Sequence, residues 1–390
     1  MKQVGIALIG CGGRLRSISR RTCLQNENLK IIGLFDVDSQ AIEDTKKFFA
    51  KSEKYKHGVE DVKEYKTLEE CVSDPQIEWV MIGSWNSKHS EQTVAAFNAG
   101  KHVFCEKPLA TTIEDCLKMR DAWITSRKNF AIGFTLRYSP HYRKIKDLVE
   151  SGTIGDIISM EFNETLGFNH GGYIHSDWRR HTKNAGTHLL EKCSHDVDLV
   201  NWIVDSRVKR TASFSGLNFF IPENEHHVDR IGKNKDGIEA YKVMANKPDR
   251  PSPFSLDKDI NDNQVIIMEY ENKVRATFHL SCNAGIPERR MYILGSEGSL
   301  RADVLTGVIE TKRIGFDTEL ISHDSGVSGG HGGGDEILTK EISDCMIKGD
   351  IPPASLEDGM NSAVACFGMD KADQTGRVVD LSSLWEQIDA

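Results

Sequence analysis

The chain's 390 residues suffice for two domains, or three, each with a full hydrophobic core. Hydrophobic residues make up 39% and charged residues 27%, the balance of a globular protein in water. A formal net charge of -9 argues against a general nucleic-acid or anionic-membrane binder, whose footprint would be basic.

The opening run Val4–Ile9 is too short for a signal peptide and has no small-residue cleavage site after it. No stretch approaches the roughly 18 apolar residues of a membrane span. Nine cysteines, an odd number without a Cys-x-x-Cys pair, read as reduced thiols in a cytoplasmic protein, not as a disulfide framework or zinc site.

Apolar runs at 4–9, 30–35, 78–82, 102–105 and 129–133 predict five buried strands. Helical patterns at 40–50, 87–99 and 112–126 lie between them, the second closed by Gly100. Near-continuous apolar strands alternating with helices predict a doubly wound parallel sheet over residues 1–133. From 134 to 390 the texture changes. Helices are predicted at 140–151, 187–203, 335–347 and 356–375, and a Gly/His/Trp-rich loop before the second. Strands at 156–162, 211–220, 264–270, 273–279, 290–294 and 307–312, with a short one at 378–379, predict an α+β domain on a large, mainly antiparallel open sheet. The polar segment at about 222–263 lacks periodicity and reads as a long insertion loop.

Gly10-Cys-Gly-Gly-Arg-Leu15 directly follows the first strand. Gly10 suits a tight turn, and Gly12 with Gly13 lets backbone approach a pyrophosphate at a helix start. Leu15 stands where the usual third glycine would be. Asp36 ends the next strand, 21 positions after Leu15, where a carboxylate accepts from ribose hydroxyls and repels a 2′-phosphate, favouring NAD. Its alternative is a helix cap shared with Asp38. Arg14 keeps NADP open, because a guanidinium could offset a phosphate. Ser84, Trp85 and Asn86 follow the third strand, where ligands of such sheets bind, although Asn86 or Ser87 could equally cap the next helix.

Glu191, His195 and Asp198 fall at i, i+4 and i+7, on one face of a helix. A histidine one turn from a carboxylate suits proton abstraction from an alcohol. Glu191, His195 and His188 could also bind a metal, but thiolates and a third firm ligand are lacking, so no metal is expected. Tyr173, Trp178, Arg179 and His170 precede this helix as groups that stack on or hydrogen-bond polyols. His331 lies in Gly329-Gly-His-Gly-Gly-Gly-Asp335, a turn that could reach substrate or simply cap a helix. Lys107 follows an apolar run in Glu106-Lys107-Pro108, where a lysine held at a strand end can sit beside a substrate.

Gly10-Cys-Gly-Gly13, Asn86 with His89, Gly100-Lys-His-Val-Phe-Cys-Glu-Lys-Pro-Leu109 and His195-Asp-Val-Asp198 together resemble the Gfo/Idh/MocA family of sugar and cyclitol oxidoreductases. Arg137-Tyr138-Ser-Pro140, Gly295-Ser-Glu-Gly-Ser-Leu300 and the segment around His331 extend the likeness over nearly the whole chain, apart from the insertion. The resemblance implies a Rossmann domain that holds a nicotinamide cofactor, NAD sooner than NADP, with His89, Glu106 and Lys107 on its side. It implies catalytic roles for Lys107, His195 and Glu191, the last standing where many members have aspartate. It adds Arg137 and Tyr138 to the substrate side, with His188 and His331. A sugar-like substrate and a homodimer or homotetramer paired through the second domain's sheet are implied as well. Hydride transfer at a secondary hydroxyl is the expected reaction. The alternatives are redox-neutral glycoside cleavage, elimination or epimerisation on a tightly held NAD, and a non-enzymatic dinucleotide sensor.

Overall fold

Two kinds of strand, one buried along its whole length and one alternating, separate two sheets in the computed structural model, which describes residues 3–389 apart from 53, 56, 60, 246–249 and 328. The chain divides into two compact units, Met1–Ser139 with Gly329–Ala363, and Pro140–Ser328 with Val364–Ala390. The units therefore do not follow one cut at 133/134, because the segment from Gly329 groups with the first.

The first unit opens with β1 (Val4–Ile9), α1 (Gly13–Gln25), β2 (Leu29–Phe35), α2 (Ser39–Ala50), β3 (Lys63–Glu64), α3 (Leu68–Ser73), β4 (Trp79–Ile82), α4 (His89–Asn98), β5 (His102–Cys105), α5 (Ile113–Ser126) and β6 (Phe130–Ile132). All six residues of β1 and all four of β4 are buried, the condition of a parallel sheet covered on both faces. The strands run parallel in the order β3-β2-β1-β4-β5-β6. The order reverses at β1, so the ends of β1 and β4 flank the crevice where such sheets bind ligands. The two exposed residues of β3 and the short α3 carry too little periodicity to be read from sequence.

The second unit holds α6 (Pro140–Glu150), β7 (Ile157–Gly167), α7 (Phe168–Ser176), α8 (Thr182–Ala185), α9 (His188–Val204), β8 (Val208–Gly216), α10 (His227–Ile231), β9 (Asn263–Tyr270), β10 (Arg275–Ala284), β11 (Arg290–Gly295), β12 (Gly298–Asp303), β13 (Val308–Arg313) and β14 (Leu320–Ser322). α11 (Gly334–Lys348) follows, then α12 (Leu356–Thr375), β15 (Val379–Asp380) and α13 (Ser382–Asp389). The nine-stranded sheet has the order β14-β13-β12-β11-β7-β10-β9-β8-β15 and is antiparallel except where β7 meets β10. At that parallel seam Phe162 stacks on Phe278, ring centroids 4.4 Å apart. Burial alternates along β9, β10 and β11. Ile266, Met268, Phe278 and Ile293 face the core, while Phe214, Val265, Ile267 and Tyr292 stay exposed on the other face.

Three sequence expectations change. The loop expected before α9 is largely helical, forming α7 and α8. Gly171 and Gly172 looked like loop residues, but an added Cβ would lie 1.9 Å from the Cys282 carbonyl oxygen and 2.1 Å from that of Tyr241. They are glycines because the helix is pressed against β10 and the insertion. The strand expected to run to residue 220 stops at Gly216, because the buried Asp262 carboxylate accepts the amides of Asn218, Phe219 and Phe220 and turns the chain. The insertion is not an open loop. Tyr241, Phe254 and Ile260 form a small core with Phe220, Ile174 and Cys282. Residues 246–249 of that insertion lie outside the described ones.

Candidate active site

In the first unit, α1 begins without a side-chain cap or an acidic residue in its first turn. Its first amides are therefore available to an anion. Gly10 has φ +83°, and a Cβ there would meet the Ser84 nitrogen at 2.5 Å. A Cβ on Gly12 would meet only the Gly83 oxygen at 3.8 Å, and one on Gly13 nothing within 4 Å. This open cradle fits a dinucleotide pyrophosphate. Leu15 occupies the third-glycine place because Gly83 at the end of β4 makes the room: a Cβ there would sit 2.8 Å from that of Leu15.

Asp36 ends β2, with its carboxylate accepting the Cys11 amide at 2.5 Å and the Asp38 amide at 2.9 Å. The cap of α2 is Asp38, which accepts from the Gln40 amide, so Asp36 is not the cap. Each of Arg14's three nitrogens donates to a protein oxygen: Nε to Glu106 at 3.1 Å, Nη1 to Asp335 at 2.8 Å, Nη2 to Thr135 at 2.7 Å. Burial works against the Arg14 charge but is outweighed by the two carboxylates. The guanidinium expected near a phosphate is thus committed within the protein. Burial would raise the Asp335 carboxyl, yet the His331 hydrogen bond and the Arg14 charge hold it down at about 2.

Ser84 Oγ donates to Gln92 Oε1 at 2.6 Å, and Trp85 is half-exposed. Asn86 is buried in a 3₁₀ turn, and the N-cap positions of that turn and of α4 are taken by Trp85 and Lys88, neither with a side-chain cap. His89 is fully buried with Nδ1 2.8 Å from the Pro108 carbonyl, and burial lowers its imidazole to about 4. It braces the Lys107–Pro108 turn from below and offers a cofactor no surface. Glu106 is buried where Gly133 leaves it space, and Lys107 is half-buried beside it. Arg137 is buried and donates to Asp358 at 2.9 Å, and Tyr138 is fully buried. His331, at φ +51°, bonds Asp335 Oδ2 at 3.2 Å.

In the second unit Thr187 caps α9 by accepting the Leu190 amide, and nearly every residue of that helix is buried. The helix is buried all round. Glu191 and His195 are 7% and 6% exposed, one turn apart. Arg179 reaches Glu191 from the turn after α7, Nε to Oε1 at 2.9 Å. Its Nη1 donates to the Tyr173 hydroxyl at 3.0 Å, and its guanidinium lies 4.4 Å from the Trp178 ring centre. Tyr173, Trp178, Arg179 and Glu191 thus converge. His188 does not join them: its Nε2 is 3.2 Å from Cys282 Sγ, and burial lowers it to about 3.

Behind this wall lies a buried ionic network that sequence reasoning missed. Lys192 pairs with Glu164 at 2.9 Å, and Arg289 pairs with Glu164 at 2.8 Å and with Asp196 at 2.7 Å. Its only sequence signal was the i,i+4 spacing of Lys192 and Asp196 on α9. Among the described residues, no group of three or more His, Cys, Asp or Glu is placed to hold a metal. Nor is any helix long and apolar enough to cross a membrane. All nine cysteines are free and buried.

Residues 4–134 match the family model described as the GFO_IDH_MocA oxidoreductase family, NAD-binding Rossmann fold, and residues 146–381 match that family's C-terminal alpha/beta domain. An inositol 2-dehydrogenase of Gluconacetobacter diazotrophicus is 30% identical over 206 residues, 52% of this chain and 55% of that protein. Inositol 2-dehydrogenase 3 of Saccharopolyspora erythraea is 24% identical over 306 residues, 74% of this chain and 80% of its own length. A levoglucosan dehydrogenase solved with NADH and levoglucosan shares the fold at TM-score 0.78 and 18% identity, covering 98% of this chain and 100% of that one.

Proposed function

Because the chain belongs to the Gfo/Idh/MocA oxidoreductase family, we propose that it oxidises a secondary hydroxyl of a sugar, cyclitol or related polyol with NAD, or reduces the corresponding ketone. The observation that carries this reading is the buried Glu191–His195 pair on α9 beside Tyr173, Trp178 and Arg179.

Bound NAD supplies the hydride acceptor. The open α1 amides beyond Gly12 and Gly13 hold its pyrophosphate, and Asp36 accepts from its adenosine ribose. NAD is proposed over NADP because Asp36 would repel a 2′-phosphate while Arg14 is already engaged by Glu106 and Asp335. His195 takes the hydroxyl proton onto an imidazole nitrogen. Lys107 serves as a hydrogen-bond donor for negative charge that develops in the reaction. Glu191 accepts from a neighbouring hydroxyl. An uncharged polyol suits the second unit's wall, because Arg179, Lys192 and Arg289 are each paired with a carboxylate.

The exposed apolar face carrying Phe214, Val265 and Ile267 supports pairing of two copies through the nine-stranded sheet. Neutral sugars, cyclitols and sugar acids incubated with NAD and NADP in parallel, followed by nicotinamide absorbance, test the reading. NADH formation with an uncharged polyol is expected. No turnover of any polyol or ketose with either cofactor overturns it.

A further inference from the structure

Glu191 is buried, and a carboxylate taken from water drifts toward its neutral form unless a cation offsets the loss of hydration. The ionisable groups near it include His170 and Tyr173 of α7, Arg179 in the turn that follows, His188 on its own helix and Cys282 of β10, with His195 one turn further along α9. Burial holds His170 at about 4 and His188 at about 3, and pushes Tyr173 and Cys282 upward, so all four are neutral near pH 7. Arg179 is the cation bonded directly to it, Nε to Oε1 at 2.9 Å.

Arg179 is itself fixed from several sides. Its Nη1 bonds both the Tyr173 hydroxyl and Asp177 Oδ1, the latter at 2.9 Å. Asp177 Oδ2 in turn accepts from Arg250 Nη2 at 3.0 Å. Glu191, Arg179, Asp177 and Arg250 form a row of alternating charge, with the Tyr173 ring 5.5 Å from each guanidinium carbon. The last member comes from the insertion. Glutamate brings one more rotatable bond than aspartate, and a bond from a stacked, pinned guanidinium removes that freedom.

We propose that Arg179 is a positioning residue, braced by Asp177 and Arg250, that keeps Glu191 ionised and oriented as a hydrogen-bond acceptor for a substrate hydroxyl beside His195. The proposal rests on the dehydrogenase reading for its kinetic consequences, but the state of Glu191 is measurable without turnover. Carbon-13 NMR of side-chain carboxyl-labelled glutamate, with the Glu191 resonance assigned through Glu191→Gln, follows its titration directly. In the wild type Glu191 is expected to be ionised at neutral pH. In Arg179→Ala its titration moves upward toward neutrality, and in Arg179→Lys the charge restores most of the ionisation without the fork geometry. With the polyol that turns over, Arg179→Ala lowers kcat/KM about tenfold to a hundredfold, and the acid limb of its pH profile moves up. Arg179→Lys recovers the limb but keeps a raised KM, and Arg250→Ala gives a smaller change in the same direction. A Glu191 titration identical in wild type and Arg179→Ala overturns the proposal, whether or not the enzyme turns over. If Arg179→Ala does not fold, Arg250→Ala and Arg179→Lys decide: unchanged KM in both overturns it. Absence of all polyol activity in the wild type sinks the dehydrogenase reading alone.

Discussion

Arg14 Nε lies 3.1 Å from Glu106 Oε1, which ties the first turn of α1 to the residue preceding Lys107. Asp335 at the start of α11 completes the clamp on the same guanidinium. The dinucleotide cradle and the Glu-Lys-Pro turn are therefore held by one side chain.

Asp335→Asn removes one carboxylate of that clamp. A carboxyl held at about 2 instead of its ordinary 3.8 contributes stability that is present above pH 4 and lost as pH falls toward 2. We expect the variant to be less stable than the wild type by about 2 kcal/mol at pH 7. The difference should shrink as pH drops from 4 to 2. Thermal unfolding across that range checks it, and a gap that widens on acidification would contradict the assignment.

Lys107→Ala is expected to cut kcat by orders of magnitude while NAD affinity stays nearly the same. Stopped turnover with a tight dinucleotide, measured by cofactor fluorescence titration, is the predicted outcome. Equal loss of both would mean that Lys107 chiefly holds the cofactor.

His195→Asn should remove the acid-side limb of the pH–rate profile for alcohol oxidation, because the general base that becomes protonated there is gone. Residual activity should then follow pH only through other groups. A profile with the same limb as the wild type would assign the base elsewhere.

Gly83→Ala would place a methyl 2.8 Å from Leu15 Cβ and 3.2 Å from its Cδ1. Overpacking of this kind costs roughly 1–3 kcal/mol. Adding Leu15→Gly, which also removes that Cβ, should recover part of that loss, so the two changes should be strongly non-additive. Melting temperatures of the two single variants and the double variant test it. Additive effects would mean that the two positions do not share the space.

The first unit was legible because its strands are apolar without interruption, and buried parallel strands show that signal at full strength. The helix of Glu191 and His195 was legible through its spacing. What stayed hidden depends on contacts between distant residues. Gly171 and Gly172 carry loop chemistry in sequence and a packing reason only once Cys282 and Tyr241 lie against them. Asp262 ends β8 from 46 residues downstream of Gly216, with no local mark at the turn itself. The terminal helix α13 escaped notice, although Trp385 anchors it through Nε1 to the Val208 carbonyl at 2.8 Å. At the site, spacing suggested which residues matter. It did not reveal that Arg14 is spoken for, that His89 lies under Pro108, or that Arg179 grips Glu191.

The close seat of α7 also bears on how this protein can change. Its two glycines admit no side chain, and Asn169 on the same helix accepts the Tyr241 amide at 2.7 Å. Thr182 just beyond is bonded by Asp259, and Arg180 donates to the Asp257 carbonyl. The segment of α7 and α8 and the insertion are thus one inheritable cassette. A library that varies residues 168–185 while leaving 220–263 fixed explores mostly chains that no longer fit themselves, whereas exchange of both segments together keeps their contacts intact.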